Sequence, residues 1–170
     1  MKHVIFGVCL AVASTMAVRA ATLQITSAAF AANGAIPSKF TCDGAGVNPP
    51  LAFSGIPAKT QSLVLIMDDP DVPKNLMPSG VFDHWLIWDL PATSKGFAEG
   101  APEAKTGLNT TGPGYMGPCP PDREHRYFFK LYALDAKLGN AKIANKQELE
   151  AAMKGHILEQ AELVGRYQRK

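Results

Sequence analysis

His125-Arg126-Tyr127-Phe128-Phe129-Lys130-Leu131-Tyr132-Ala133-Leu134 is the stretch on which the fold turns. Its density of aromatic residues suits a pleated strand better than a helix. Alternation then sets His125, Tyr127 and Phe129 on one face. Two other runs extend a sheet around it. Residues 62–67 are almost continuously apolar and end at Asp68, the pattern of a strand covered on both faces. Phe82 to Leu90 reads as a further strand, stopped by Pro91, with His84, Leu86 and Trp88 on a common face. Residues 22–26 alternate polar and apolar and form a short first strand. Residues 31–50 and 92–124 are rich in Gly, Pro and Asn, and suit loops and short edge strands.

The last segment changes period. Asn145 with Glu148 three residues on is a helix-capping pair. Leu149, Met153, Ile157, Ala161 and Val164 then recur at helical spacing, which predicts a helix ended by Gly165. His156 falls on the apolar face of that helix and is expected to make a structural hydrogen bond. Strands first and one substantial helix last make the fold class mainly β, a β-sandwich with a C-terminal α-helix.

Residues 1–20 have a basic Lys2, a short apolar run and small residues at Val18-Arg19-Ala20, the pattern of a cleaved secretory signal. That run is too short to span about 30 Å of hydrocarbon. The expected mature chain is a single domain over 21–170, periplasmic or secreted, with no transmembrane segment. The whole chain carries a formal charge of +2. Lys2 and Arg19 leave with the signal and no acidic residue does, so the mature charge is zero. A neutral domain offers no broad basic face for nucleic acid. Cys42 and Cys119 remain after processing, and an even count in an oxidising compartment favours a disulfide. Two free buried thiols are the other reading. Neither cysteine has a histidine or second cysteine at ligand spacing, so no metal site is expected.

Side chains able to carry chemistry are few. On the aromatic strand His125 and Tyr127 project side by side and offer ring nitrogens and a phenol as convergent donors. Asp68-Asp69-Pro70-Asp71-Val72-Pro73 is an acidic turn stiffened by two prolines. A rigid carboxylate there can hold an imidazole in one tautomer and favour its protonated form. Each piece also has a plain structural reading, as a turn or as a satisfied core histidine. Ser79 and Ser94 lack a nucleophile-elbow context. No cofactor and no enzymatic activity are expected, a hydrolase being the weakest of three readings.

In combination these segments resemble a known family. Asp69-Pro70-Asp71-Val72-Pro73, Asp83-His84-Trp85, Gly117-Pro118-Cys119-Pro120-Pro121 and His125-Arg126-Tyr127 stand in the order found in the phosphatidylethanolamine-binding protein family. Residues 40–44, 48–51 and 155–158 look like its bacterial Raf kinase inhibitor-like branch, and the likeness covers nearly all of residues 22–167. The resemblance implies a β-sandwich with Greek-key-type antiparallel sheets and a small cavity for phosphate-like anions or phospholipid headgroups. Asp69, His84, His125 and Tyr127 match the pocket positions, Asp71 and Pro73 the turn that shapes it, and Gly117 and Pro120 the loop at its mouth. Three positions depart from the family pattern: Phe53 and Phe82, where tryptophan is common, and Met116, where glycine is common. The leading function is binding of a small anionic ligand. The alternative is a protein-inhibitor module, with Gly107–Pro121 as its exposed loop; a protein partner and a dimer are both compatible with the sequence.

Overall fold

The computed structural model describes residues 22–139 and 141–170. The signal sequence read over 1–20 lies outside the described residues. Two antiparallel sheets carry the fold. A small one is built from β1 (Gln24–Thr26), β2 (Leu51–Ser54) and β5 (Gly96–Phe97), in the order β1-β2-β5. The large one uses β3 (Ser62–Asp69), β4 (Phe82–Pro91), β6 (Leu108–Asn109), β7 (Gly112–Pro113), β8 (His125–Leu134) and β9 (Ile157–Tyr167). Its order is β7-β6-β4-β3-β8-β9. The chain leaves β4 on one side of β3 and returns as β8 on the other, a crossing of Greek-key type.

The faces follow from side-chain alternation. Leu63, Leu65 and Met67 of β3 join Tyr127, Phe129 and Leu131 of β8 and pack onto Ile25, Leu51 and Phe53 of the small sheet. Phe53 thus fills a core position. The other face of β3, Val64 and Ile66, is covered by Leu149 and Met153 of α1 (Lys146–Met153), the one α-helix among the described residues. β3 is therefore apolar on both sides because both sides are buried. No helix among the described residues is long and apolar enough to cross a membrane.

Two departures from the sequence reading matter. The capped helix starts as expected, with Asn145 Oδ1 accepting from Glu148 N at 2.9 Å, but it ends at Met153. Gly155 turns the chain with φ 86°, and residues 157–167 form β9 along β8. Leu, Glu, Gln and Ala favour a helix locally, yet β8 offers an unpaired ladder, and pairing with it overrides that propensity. Gly165 does not stop a helix. It lies in β9 where a Cβ would come within 2.6 Å of Ile36 Cγ1, so a side chain would be crowded there. His156 sits in the turn between α1 and β9 rather than on an apolar face. It is half exposed and meets Asp135 Oδ1 at 2.8 Å through Nδ1.

The second departure is a bulge. β3 pairs Met67 with Trp85 but Asp68 with Asp83, which leaves His84 as the extra residue. Trp85 and Ile87 then face the sandwich core, and Leu86 and Trp88 face the helix side. His84 is separated from Leu86 and Trp88, and its ring stands edge-on to Tyr127 at 5.2 Å between centroids. The bulge is what brings β4's histidine to the pocket end of β8.

Candidate functional site

At the end of β3 the acidic turn does two separate jobs. Asp69 is buried, and its Oδ1 accepts the Asp71 backbone N–H at 2.8 Å, closing the turn on itself. Its Oδ2 meets His125 Nδ1 at 2.7 Å. The other ring nitrogen, Nε2, meets Asp122 Oδ1 at 2.8 Å. Both nitrogens of a fully buried imidazole thus face carboxylate oxygens. The hydrogen bond from His125 holds the Asp122 carboxyl below its ordinary range. Asp71 turns away and takes Arg126 through Nε and Nη2, each at 2.8 Å, together with the Arg126 backbone N–H at 3.0 Å. That fork carries the Asp71 carboxyl down to about 2.

Beside this corner lies a cavity of about 320 Å³. Val72, Leu76, Met77, Phe82 and Met116 supply apolar wall, and Asp69 and His84 supply polar lining. Among the described residues no lysine or arginine lines it. Leu76 and Met116 stand 61% and 40% exposed, large apolar side chains presented at the mouth rather than buried. Gly117 and Cys119 close one side. At Gly117 a Cβ would come within 2.7 Å of the Phe40 carbonyl oxygen, so the loop can lie this close only without a side chain. Cys119 is bonded to Cys42, with Cα atoms 5.4 Å apart, which ties the mouth loop to the connection between β1 and β2 of the small sheet.

His84 and Tyr127 are the groups with capacity to spare. His84 Nδ1 donates to the Met116 carbonyl at 2.7 Å, which sets the tautomer. Burial pushes the imidazole below its ordinary value, outweighing that hydrogen bond and the nearby aspartates. At neutral pH the ring is uncharged, and Nε2 is an acceptor that finds no partner among the described residues. The Tyr127 hydroxyl is buried with no hydrogen-bond partner among the described residues. Burial, reinforced by the Asp69 charge, drives the phenol far up, so it remains a donor.

The residues expected from the sequence divide accordingly. Asp69, His84 and Gly117 line the cavity, and Tyr127 lies behind His84. His125 is fully buried behind Asp69, with no ring nitrogen left for a ligand. Asp71 and Pro73 shape the turn: Asp71 grips Arg126, and the Pro73 carbonyl accepts from Leu76 and Met77 N–H. Pro120 is buried, and its neighbour Pro121 is the one that reaches the lining. The carboxylate-held imidazole is therefore His125 and not His84. Leu76 and Met77 went unnoticed in the sequence; two large apolar residues inside a Pro- and Gly-bounded turn are the signal that could have found them.

Comparison with known proteins finds relatives alike in sequence and in fold. The family model described as phosphatidylethanolamine-binding protein matches residues 26–168. A UPF0098 protein of Chlamydia pneumoniae is 50% identical over 149 residues, covering 86% of this chain and 99% of its own. A Methanothermobacter thermautotrophicus relative is 44% identical over 155 residues, with 86% and 99% covered. Among solved structures, a Chlamydia trachomatis homologue of the phosphatidylethanolamine-binding protein superposes with a TM-score of 0.84 at 43% identity, over 88% of this chain and 99% of that one. Escherichia coli YbcL, described as a member of the mammalian family, gives a TM-score of 0.73 at 26% identity, over 88% and 100%.

Proposed function

This chain belongs to the phosphatidylethanolamine-binding protein family, and on that premise we propose that it is an exported binding protein for a small anionic headgroup of phosphate type, held in the cavity floored by His84. One observation carries the reading: His84, whose Nε2 finds no partner among the described residues, lines an apolar-walled cavity, and the Tyr127 ring, with its unpaired hydroxyl, stands edge-on against it. Buried polar groups are normally satisfied by the protein itself, and a pair left open beside a cavity suits a ligand. Tyr127 donates as it stands. His84 donates only after taking up a proton, so an anion enters together with that proton and raises the imidazole's affinity for it. Binding is the reading in preference to turnover, because neither Ser79 nor Ser94 lines the cavity. The exposed Cys42–Cys119 disulfide supports export to an oxidising compartment.

The test is calorimetric titration with a phosphate monoester from about pH 5 to 8, spanning the ordinary histidine range. It is run in two buffers of different ionisation enthalpy and corrected for the ester's own ionisation. Affinity should fall as pH rises, with net proton uptake on binding, and His84→Ala should abolish both. Affinity that stays level with pH, or survives the loss of His84, overturns the proposal.

A further inference from the structure

A second cavity, of about 300 Å³, is lined in part by residues 113–115, which precede Met116 and Gly117 of the first in the chain. It opens between residues 46–48, the 3-10 turn at Pro102–Lys105, and residues 113–115. It shares no lining residue with the His84 cavity. Asn48 lines it and is only 1% exposed. Its Nδ2 donates to the Pro49 carbonyl at 2.9 Å and to the Ala98 carbonyl at 2.9 Å. These contacts fix the amide, because the flipped orientation would set its oxygen against two carbonyl oxygens. Asn48 Oδ1 is the atom left over: a buried acceptor with no partner among the described residues.

We infer that this cavity is a binding site for a small neutral molecule carrying one hydroxyl or amide N–H, which donates to Asn48 Oδ1 while its carbons pack against Ala101, Ala104 and the Tyr115 ring. The orphaned oxygen calls for a donor, since an unmet buried carbonyl is a standing cost to the fold. Tyr115 does not compete for it, because its hydroxyl donates to the Phe40 carbonyl at 2.9 Å. Apart from Lys105, the rest of the lining is short aliphatic, glycine and proline, so the ligand's remainder is apolar. Charge narrows the class further. Lys105 is the one charged residue of the lining among the described residues, and it repels a cationic donor. An anion would find Asn48 presenting an acceptor rather than a donor. An alcohol or a secondary amide of a few carbons meets all three conditions, in a volume at the lower end for small-molecule pockets.

The test uses the ¹⁵N-labelled protein and follows the Asn48 side-chain amide and the Gly100 and Gly114 backbone amides by NMR. 1-Propanol and N-methylacetamide should give saturable shifts. Tetrahydrofuran, which accepts but cannot donate, and propylammonium, which donates but is charged, should bind at least tenfold more weakly. Ala104→Leu fills the cavity and leaves the Asn48 clamp untouched, so it should remove saturation by both donors. Lys105→Met, on the surface, should narrow the gap between propylammonium and 1-propanol. The inference fails if tetrahydrofuran saturates as readily as 1-propanol, which would mark a merely apolar hole. It fails equally if no probe saturates, or if Ala104→Leu leaves the shifts unchanged. Should Ala104→Leu not fold, the ranking of probes on the wild type and on Lys105→Met decides.

Discussion

The corner around His125 and the cavity floor around His84 draw on the same residue types, but the fold consumes their hydrogen-bonding capacity to different extents. At the corner every polar atom is spent: Asp69 on His125 and Asp71 N–H, His125 on two carboxylates, Asp71 on Arg126. At the floor, one His84 nitrogen is spent on a backbone carbonyl, and the other nitrogen and the Tyr127 hydroxyl are not. A satisfied buried network rigidifies and an unsatisfied one waits for a partner. The corner therefore acts as scaffold and the floor as site, although both contain a histidine from the same kind of motif.

The mouth loop joins the two, because Asp122 serves the corner while Gly117 and Cys119 serve the cavity. The largest effect should come from cutting its tie. The disulfide spans 77 positions, and loop-closure entropy sets an upper figure of about 4–5 kcal/mol for replacing both cysteines by serine. Urea unfolding should show that loss, and affinity for a phosphate monoester should fall with it. The unreduced native protein should not react with iodoacetamide. Thiols that alkylate without reductant would break the argument at this point.

Next come the two histidines themselves. His125→Leu strips Asp69 of its partner in a buried place, and breaking such a pair costs about 3–5 kcal/mol. His84→Ala leaves only the Met116 carbonyl without its donor, beside an exposed residue, and should cost about 1–2 kcal/mol while abolishing ligand protection against unfolding. Comparable costs for the two, or ligand protection that survives in His84→Ala, would erase the distinction between scaffold and site.

Acid separates them again. Asp71 has a folded value of about 2 against an ordinary 3.8, so its contribution is complete above the unfolded value and is lost as pH falls toward 2. Arg126 is half exposed, and screening leaves on the order of 1 kcal/mol. His84 acts in a higher range. Its folded value lies below the unfolded 6.5, so the unfolded chain binds the proton first and stability falls as pH drops below about 6.5. Stability profiles of Asp71→Asn and His84→Ala should each flatten one of these ramps. A profile of His84→Ala identical to wild type between about pH 5 and 7 would show that burial does not hold His84 neutral.

Much of the scaffold was legible because its signals are local. The aromatic strand announces β8, the apolar run announces β3, and Asn145 with Glu148 announces the start of α1. Asp69 and His125 could be singled out from a proline-stiffened turn and a strand histidine. What was not legible depends on pairing between distant segments. Residues 157–167 carry helix-favouring side chains and become a strand because β8 has a free edge. The bulge that swings His84 toward Tyr127 arises from the register of β3 against β4, which no window of sequence contains. Leu76, Met77 and Met116 look like ordinary loop residues until the fold gathers them into one wall. Asn48 stands in a stretch that reads only as loop, and its orphaned oxygen appears only once both amide hydrogens are traced to Pro49 and Ala98.

The smallest effect is also the one that separates the two regions by sign. Tyr127 packs in the core with its hydroxyl unpaired, so in the ligand-free protein Tyr127→Phe removes an unsatisfied group and little else. Replacing such a group by an apolar one of the same shape is close to neutral or slightly stabilising. With ligand present the hydroxyl is a donor to the anion, and its loss should weaken binding by on the order of 1 kcal/mol, about fivefold. The pH dependence should keep its slope, because the phenol stays protonated throughout and only His84 exchanges a proton. A corner residue cannot behave in this way: removing a polar atom there leaves another unpaired and costs stability with or without ligand. Urea unfolding of Tyr127→Phe without ligand, set beside calorimetric titration of the same variant, reads both halves. A loss of more than about 1 kcal/mol in the ligand-free protein would mean that the hydroxyl is already engaged, by Asp69 for instance. The floor would then be scaffold too, and His84 Nε2 would be left as the ligand's sole polar contact.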